Sequence, residues 1–152
     1  MSDEKDIILA YIDRQWSQAK QCEDQRSLAA NIILPVFGAI QWYIVQRNFD
    51  SPCLALAVLL MAASSYGLIL TEKYYERFRL HAARVGEAMN ALVRMYPDAD
   101  LNMLEEAAKV KHLKSHALMY SINLHILWRL FFGLLIALAF LNLIIILDHA
   151  KF

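Results

Sequence analysis

Two short stretches concentrate the side chains able to do chemistry. KYYERFRLHAAR, residues 73–84, carries Arg77, Arg79 and Arg84 with only Glu76 among them; KVKHLKSH, residues 109–116, carries Lys109, Lys111, His112, Lys114 and His116 with no acid. Cations at this density attract polyanions, and Arg and Lys make charge-assisted hydrogen bonds to phosphate oxygens. If the helices that bear them pair, the two sets converge into a cationic groove. The alternative is a basic surface lying against an anionic lipid leaflet. His112 and His116 stand four residues apart, the interval of two helical zinc ligands, but no HExxH glutamate lies between them and no third ligand is evident, so no metal is expected. The chain offers no Ser or Cys nucleophile with a placed base, no glycine-rich phosphate loop and no haem-type histidine pair. No catalytic residue, enzyme activity or cofactor is expected.

The elements that position these clusters are helices. With 152 residues, 59% hydrophobic side chains, 4 Gly and 3 Pro, the chain is too apolar for an ordinary soluble domain of its length. Three runs lack Asp, Glu, Lys and Arg: Leu28 to Val45, Cys53 to Leu70 and Leu130 to Leu147. Each is long enough to cross a hydrocarbon layer about 30 Å thick as a helix. The first 27 residues carry acids at the start and no compact apolar core, unlike a cleaved signal, so the first span is expected to be retained as an anchor. Lys and Arg crowd residues 1–27 and 71–124, whereas the connector QRNFDSP has Arg47 alone and the tail Lys151 alone. That bias places the N-terminus inside and the C-terminus outside. Cys22 and Cys53 then lie on opposite sides, so no disulfide is expected.

The expected organisation is all-α. Residues 1–27 form an amphipathic helix with Ile8, Ile12, Trp16, Ala19 and Cys22 on one face, begun by Ser2, Asp3 and Glu4. Residues 28–70 form a transmembrane hairpin of spans 28–45 and 53–70, turned at Asp50, Ser51 and Pro52, with Trp42 and Tyr43 near the outer headgroups. Residues 71–124 form a cytoplasmic helical hairpin. Its first helix runs to Tyr96 with a seam of Tyr74, Phe78, His81, Val85, Met89, Leu92 and Tyr96, and YPDAD turns the chain, with Asp98 or Asp100 as cap. A third span covers 125–147 and an outer tail 148–152. One helix of roughly 70 Å is expected from Leu101 to Leu147, since Gly133 is the only glycine there and proline is absent.

The spans lack acids, which disfavours proton-coupled transport. Asn31, Pro35, Gly38 and Gln41 or Trp42 share one stripe of the first span, facing either a water-filled path or another helix. Ala63 with Gly67 and Gly133 with Ala137 are small-xxx-small pairs that let helices approach closely. Asn142 would bond between helices or contribute a polar ring in an oligomer. Arg129, in HILWRL, would snorkel to headgroups or become a ring of cations in a symmetric assembly.

A membrane hairpin followed by EKYYERFRLHAARVGEAM and further helix resembles the SLATT-type and other small multi-pass membrane effectors of prokaryotic antiphage defence. The resemblance covers Leu28 to Leu92 in layout; the third span departs from the two-span SLATT plan and is closer to channel effectors partnered with a nucleotidyltransferase. It implies a homo-oligomeric pore whose cytoplasmic part senses a nucleotide signal. The expectation is therefore an inner-membrane ion channel, of four subunits, gated by an anionic nucleotide or oligonucleotide, with a nucleotidyltransferase encoded alongside as a partner. Arg77, Arg79, Arg84, Lys109, Lys111, His112, Lys114 and His116 would bind the ligand, and Asn31, Pro35, Gly38, Gln41, Arg129 and Asn142 would line or gate the pore. The alternative is a non-conducting membrane adaptor that tethers a soluble enzyme. Lipid and further copies of the chain are partners in either case.

Overall fold

The computed structural model describes residues 2–150, and all regular structure in that range is helical. Lys151 of the expected outer tail lies outside the described residues. The α-helices are α1 (Ser2–Gln46), α2 (Leu54–Met95), α3 (Leu101–Ser121) and α4 (Leu124–His149), with single 3₁₀ turns at Ser51–Cys53 and Pro97–Ala99. Three of them, α1, α2 and α4, are long and apolar enough to cross a membrane.

Asp3 and Glu4 occupy the first turn of α1, where carboxylates meet the positive end of the helix dipole. Nothing then interrupts it for 45 residues, about 68 Å at 1.5 Å per residue. The amphipathic segment and the first apolar run are thus one helix. Pro35 lies inside it and removes the amide that would bond the Asn31 carbonyl. The connector bends where Asn48 and Phe49 take left-handed backbone, at φ 49° and 58°. Asn tolerates that region better than other non-glycine residues, and here it lets the Phe49 amide reach back to the Ile44 carbonyl at 3.2 Å. Arg47 and Asp50 tie the turn with a 2.8 Å ion pair, and Cys53 Sγ donates to Asp50 Oδ1 at 2.9 Å.

The chain divides into two compact units. The apolar unit comprises Asp24–Tyr74 and Leu124–Phe152. Its core repeats every three or four residues on each helix: Ala30, Ile33, Phe37, Ile40 and Ile44 on α1; Ala57, Leu60, Ser64, Gly67 and Thr71 on α2; Phe132, Leu135, Ala139, Asn142 and Ile146 on α4. This is the spacing of interlocking side chains in coiled coils. Gly67 is required by it, because a β-carbon there would overlap the Phe132 ring and lie 2.8 Å from Ile33 Cδ1. Gly38 and Gly133 meet no such neighbour.

The charged unit comprises Met1–Glu23 and Tyr75–Asn123. Two members of the expected seams are displaced. On α1 the buried position is Gln15, 5% exposed, whereas Trp16 is 45% exposed. Ile8, Ile12, Gln15, Ala19 and Cys22 keep the regular four-three alternation, and Gln15 is tolerated inside because its Oε1 lies 2.7 Å from His81 Nδ1. On α2 Met89 is exposed and Leu92 buried. Asp100 occupies the cap position of α3, but with its backbone: its carbonyl accepts from the Met103 and Leu104 amides, and its side chain makes no cap bond.

The expected single helix from Leu101 to Leu147 is not formed. α3 stops at Ser121, Ile122 is extended at φ −92°, ψ 111°, and α4 starts at Leu124. A serine, a β-branched isoleucine and an asparagine in succession favour that break without proline or glycine, because Ser and Asn side chains compete for backbone partners and Ile prefers extended backbone. A second departure from helix lies at His116, φ −137°, ψ 37°.

Candidate functional site

The polar side chains of the apolar unit fall into three groups. The first is an amide pair between α1 and α4. Gln41 Nε2 donates to Asn142 Oδ1 at 3.2 Å, and Asn142 Nδ2 donates to Gln41 Oε1 at 2.6 Å. Asn142 is 1% exposed and Gln41 is half-buried. In apolar surroundings such a pair satisfies four groups that would otherwise lie in hydrocarbon.

The second group gathers at the end of the apolar run 53–70. Glu72, two residues beyond that run, accepts two hydrogen bonds from Arg129, Nε to Oε1 and Nη2 to Oε2, each 2.6 Å. These bonds hold the Glu72 carboxyl below its ordinary range; partial burial opposes the shift, and the charges of Arg129, His125 and Arg26 add to it. The charge of Arg129 is therefore offset within its own chain. Arg26 is 1% exposed with its guanidinium 5.4 Å from the centre of the Trp128 ring, a cation over an aromatic face. Trp128, Phe131 and Phe132 in turn pack ring against ring at 5.2–6.5 Å. Sequence reasoning counted Arg26 only as an orientation charge and passed over Glu72. Phase was the missed signal: Arg26 falls in step with Cys22 and Ala30 on the buried face of α1.

The third group faces outward. Asn31, Pro35, Gly38 and Trp42 are exposed on α1, so the stripe expected from the sequence divides: these four stay outside and Gln41 turns in. Behind them the unit is closed by Phe37, Leu60, Phe132, Ala139 and Ile146, all at most 4% exposed. A conduit along this face would have to lie between copies.

In the charged unit Arg77, Arg79 and Arg84 are exposed on α2, and Lys109, Lys111, His112, Lys114 and His116 are exposed on α3. Every described side chain from Asn102 to Ser121 is exposed, so α3 adds its cations to an open surface and does not close a groove over α2. Among the described residues, no ion pair holds Arg77, Arg79, Arg84, Lys109, Lys111 or Lys114. Arg84 lines a groove of about 390 Å³ with Tyr11, Leu80, Ala83, Glu87 and Ala88, and Arg14 lies 5.7 Å from the centre of the Tyr11 ring. The His112 and His116 rings are 5.1 Å apart, centre to centre, and no group of three metal-ligating side chains occurs among the described residues. Burial raises the pKa of the Cys22 thiol against the pull of nearby Arg77, which does not favour a reactive thiolate. Comparison of the chain with protein-family models, curated proteins and solved structures finds no match to any of them.

Proposed function

We propose that the chain is a three-span subunit of a homo-oligomeric ion channel in a bacterial inner membrane, gated by an anionic nucleotide or oligonucleotide and acting in antiphage defence like the effectors it resembles. The observation that carries this reading is the placement of cations: Arg77, Arg79, Arg84, Lys109, Lys111 and Lys114 stand exposed in the charged unit, outside intrachain ion pairs among the described residues. Phosphates are the natural counterpart of such a surface. Because the apolar unit is packed shut, the path for ions is formed between copies, with the Asn31, Pro35 and Gly38 face of α1 toward it. Gln41 with Asn142 and Arg129 with Glu72 brace the helices behind that face. Ligand changes conduction only by binding open and closed arrangements unequally.

The test is ion flux through liposomes carrying the purified chain, measured with a panel of cyclic dinucleotides and short linear oligonucleotides. A ligand in the panel should change flux, and reversing Arg77, Arg84, Lys109 and Lys111 to Glu should abolish that response while flux itself persists. Absence of flux under all conditions would end the channel reading. A second reading, a non-conducting adaptor for a soluble enzyme, is favoured by the uncovered apolar side chains of α3, among them Met103, Leu104, Val110 and Leu113.

A further inference from the structure

Within the apolar unit, α1 and α2 leave a groove of about 290 Å³ between them, walled by Leu28, Ala29 and Ile32 on α1 and by Ala63, Tyr66 and Leu70 on α2. Both walls are therefore apolar over most of their length. The polar groups sit at one end, where the Tyr74 hydroxyl donates to Gln25 Oε1 at 3.1 Å. From Ala63 to Tyr74 the α2 wall rises about 16 Å, close to half of a hydrocarbon layer about 30 Å thick, which is the depth of one leaflet. The lip is flanked by charges of opposite sign. Lys73, exposed, stands seven residues from Tyr66 on the same stripe of α2. Asp24, exposed, borders the adjoining hollow that shares Gln25 and Leu28 with the groove.

We propose that this groove seats one acyl chain of an aminophospholipid from the leaflet at the charged end of the spans, with Lys73 meeting its phosphate and Asp24 its primary ammonium. An apolar wall one leaflet deep fits the chain. A cation and an acid on opposite sides of a polar lip fit a headgroup that carries both signs, and a primary ammonium can donate hydrogen bonds to Asp24 where a quaternary one cannot. The inference rests on the three-span reading and is independent of conduction and of any nucleotide.

The test is native mass spectrometry of the full chain, purified in detergent, stripped of lipid and offered equal amounts of dioleoyl phosphatidylethanolamine, phosphatidylglycerol and phosphatidylcholine. The expected result is one phosphatidylethanolamine retained per chain, preferred about tenfold over phosphatidylcholine, the size of one good charge-assisted hydrogen bond. Asp24→Asn should erase that preference, Lys73→Gln should weaken retention of all three lipids, and Ala63→Trp should remove retention by filling the groove. Ala29→Leu narrows the opposite wall more gently and serves if Ala63→Trp does not fold. Equal retention of the three lipids by the unaltered chain, or retention that survives both groove-filling variants, overturns the proposal. So does a change of subunit number in those variants with lipid still bound, which would make a second copy the occupant. A chain that is soluble without detergent ends the three-span reading itself, whereas a detergent-dependent chain that retains no lipid ends this inference alone.

Discussion

The two units use one seam spacing in different ways. In the apolar unit α1, α2 and α4 meet through small and aromatic residues, and the amides of half-buried Gln41 and buried Asn142 satisfy one another. In the charged unit the corresponding polar position joins Gln15 to His81, while the described side chains of α3 from Asn102 to Ser121 lie uncovered. A polar residue in a seam therefore has different consequences in each: with water excluded an unmatched amide has no alternative partner, and with water nearby it has one. The apolar unit should be intolerant of change at its contacts, and the charged unit tolerant.

The largest expected effect is at Gly67. Gly67→Leu places a branched side chain where even a β-carbon overlaps the Phe132 ring, and overpacking of this kind costs about 3 kcal/mol or more. Thermal unfolding in detergent should show a marked fall in Tm, or the variant should fail to fold. Gly133→Ala, on a face with no neighbour within 4 Å, should lie within about 0.5 kcal/mol of the parent chain. Equal effects at the two glycines would mean that α2 and α4 do not approach as described.

Next comes the amide pair. Gln41→Leu leaves the buried Asn142 amide, and Asn142→Leu the half-buried Gln41 amide, without a partner in apolar surroundings, and each should cost about 1–2 kcal/mol. Gln41→Leu with Asn142→Leu should recover part of the loss, because no unmatched polar group remains. The same cycle at Gln15 and His81 sharpens the comparison: Gln15→Leu leaves the half-buried His81 within reach of water and should cost about 0.5–1 kcal/mol, whereas His81→Leu strands Gln15, 5% exposed, and should cost about 1–2 kcal/mol. Denaturant unfolding of the four single and two double variants measures both coupling energies. A larger coupling at Gln15 and His81 would reverse the contrast between the units.

Much of this architecture is legible in the sequence. Runs of 18 residues without charge mark the apolar helices, and the turn at Asp50 to Pro52 and the end of α2 near Tyr96 follow from local backbone chemistry. What is hidden has physical reasons. Gln15 and Arg26 are polar by type but buried by phase, so residue type misplaces them and spacing finds them. Gln41 and Asn142 are 101 residues apart, and no local rule pairs two amides at that separation. The break at 121–123 uses Ser, Ile and Asn, each a weak breaker alone, and only their succession ends α3. Of the candidate site residues, sequence found the exposed cations, but it could not tell that Arg129 is engaged by Glu72.

That ion pair gives the smallest expected effect and the clearest sign. Its side chains are 52% and 34% exposed, so solvent screens the attraction, and Glu72→Gln should cost no more than about 1 kcal/mol at neutral pH. The Glu72 carboxyl is held below its ordinary value of 4.5, with the Arg129 hydrogen bonds as the leading cause. A carboxyl that loses its proton more readily when folded stabilises the fold above its unfolded pKa, and that contribution disappears as pH falls through the lower, folded pKa. Stability of the parent chain should therefore decline below about pH 4.5, and the difference between it and Glu72→Gln should shrink toward zero over the same range. His125 and Arg26 stand near enough to act on Glu72, so Arg129→Gln is the control. It should remove most of the difference if Arg129 holds the carboxylate, and leave the pH dependence intact if the other two cations suffice.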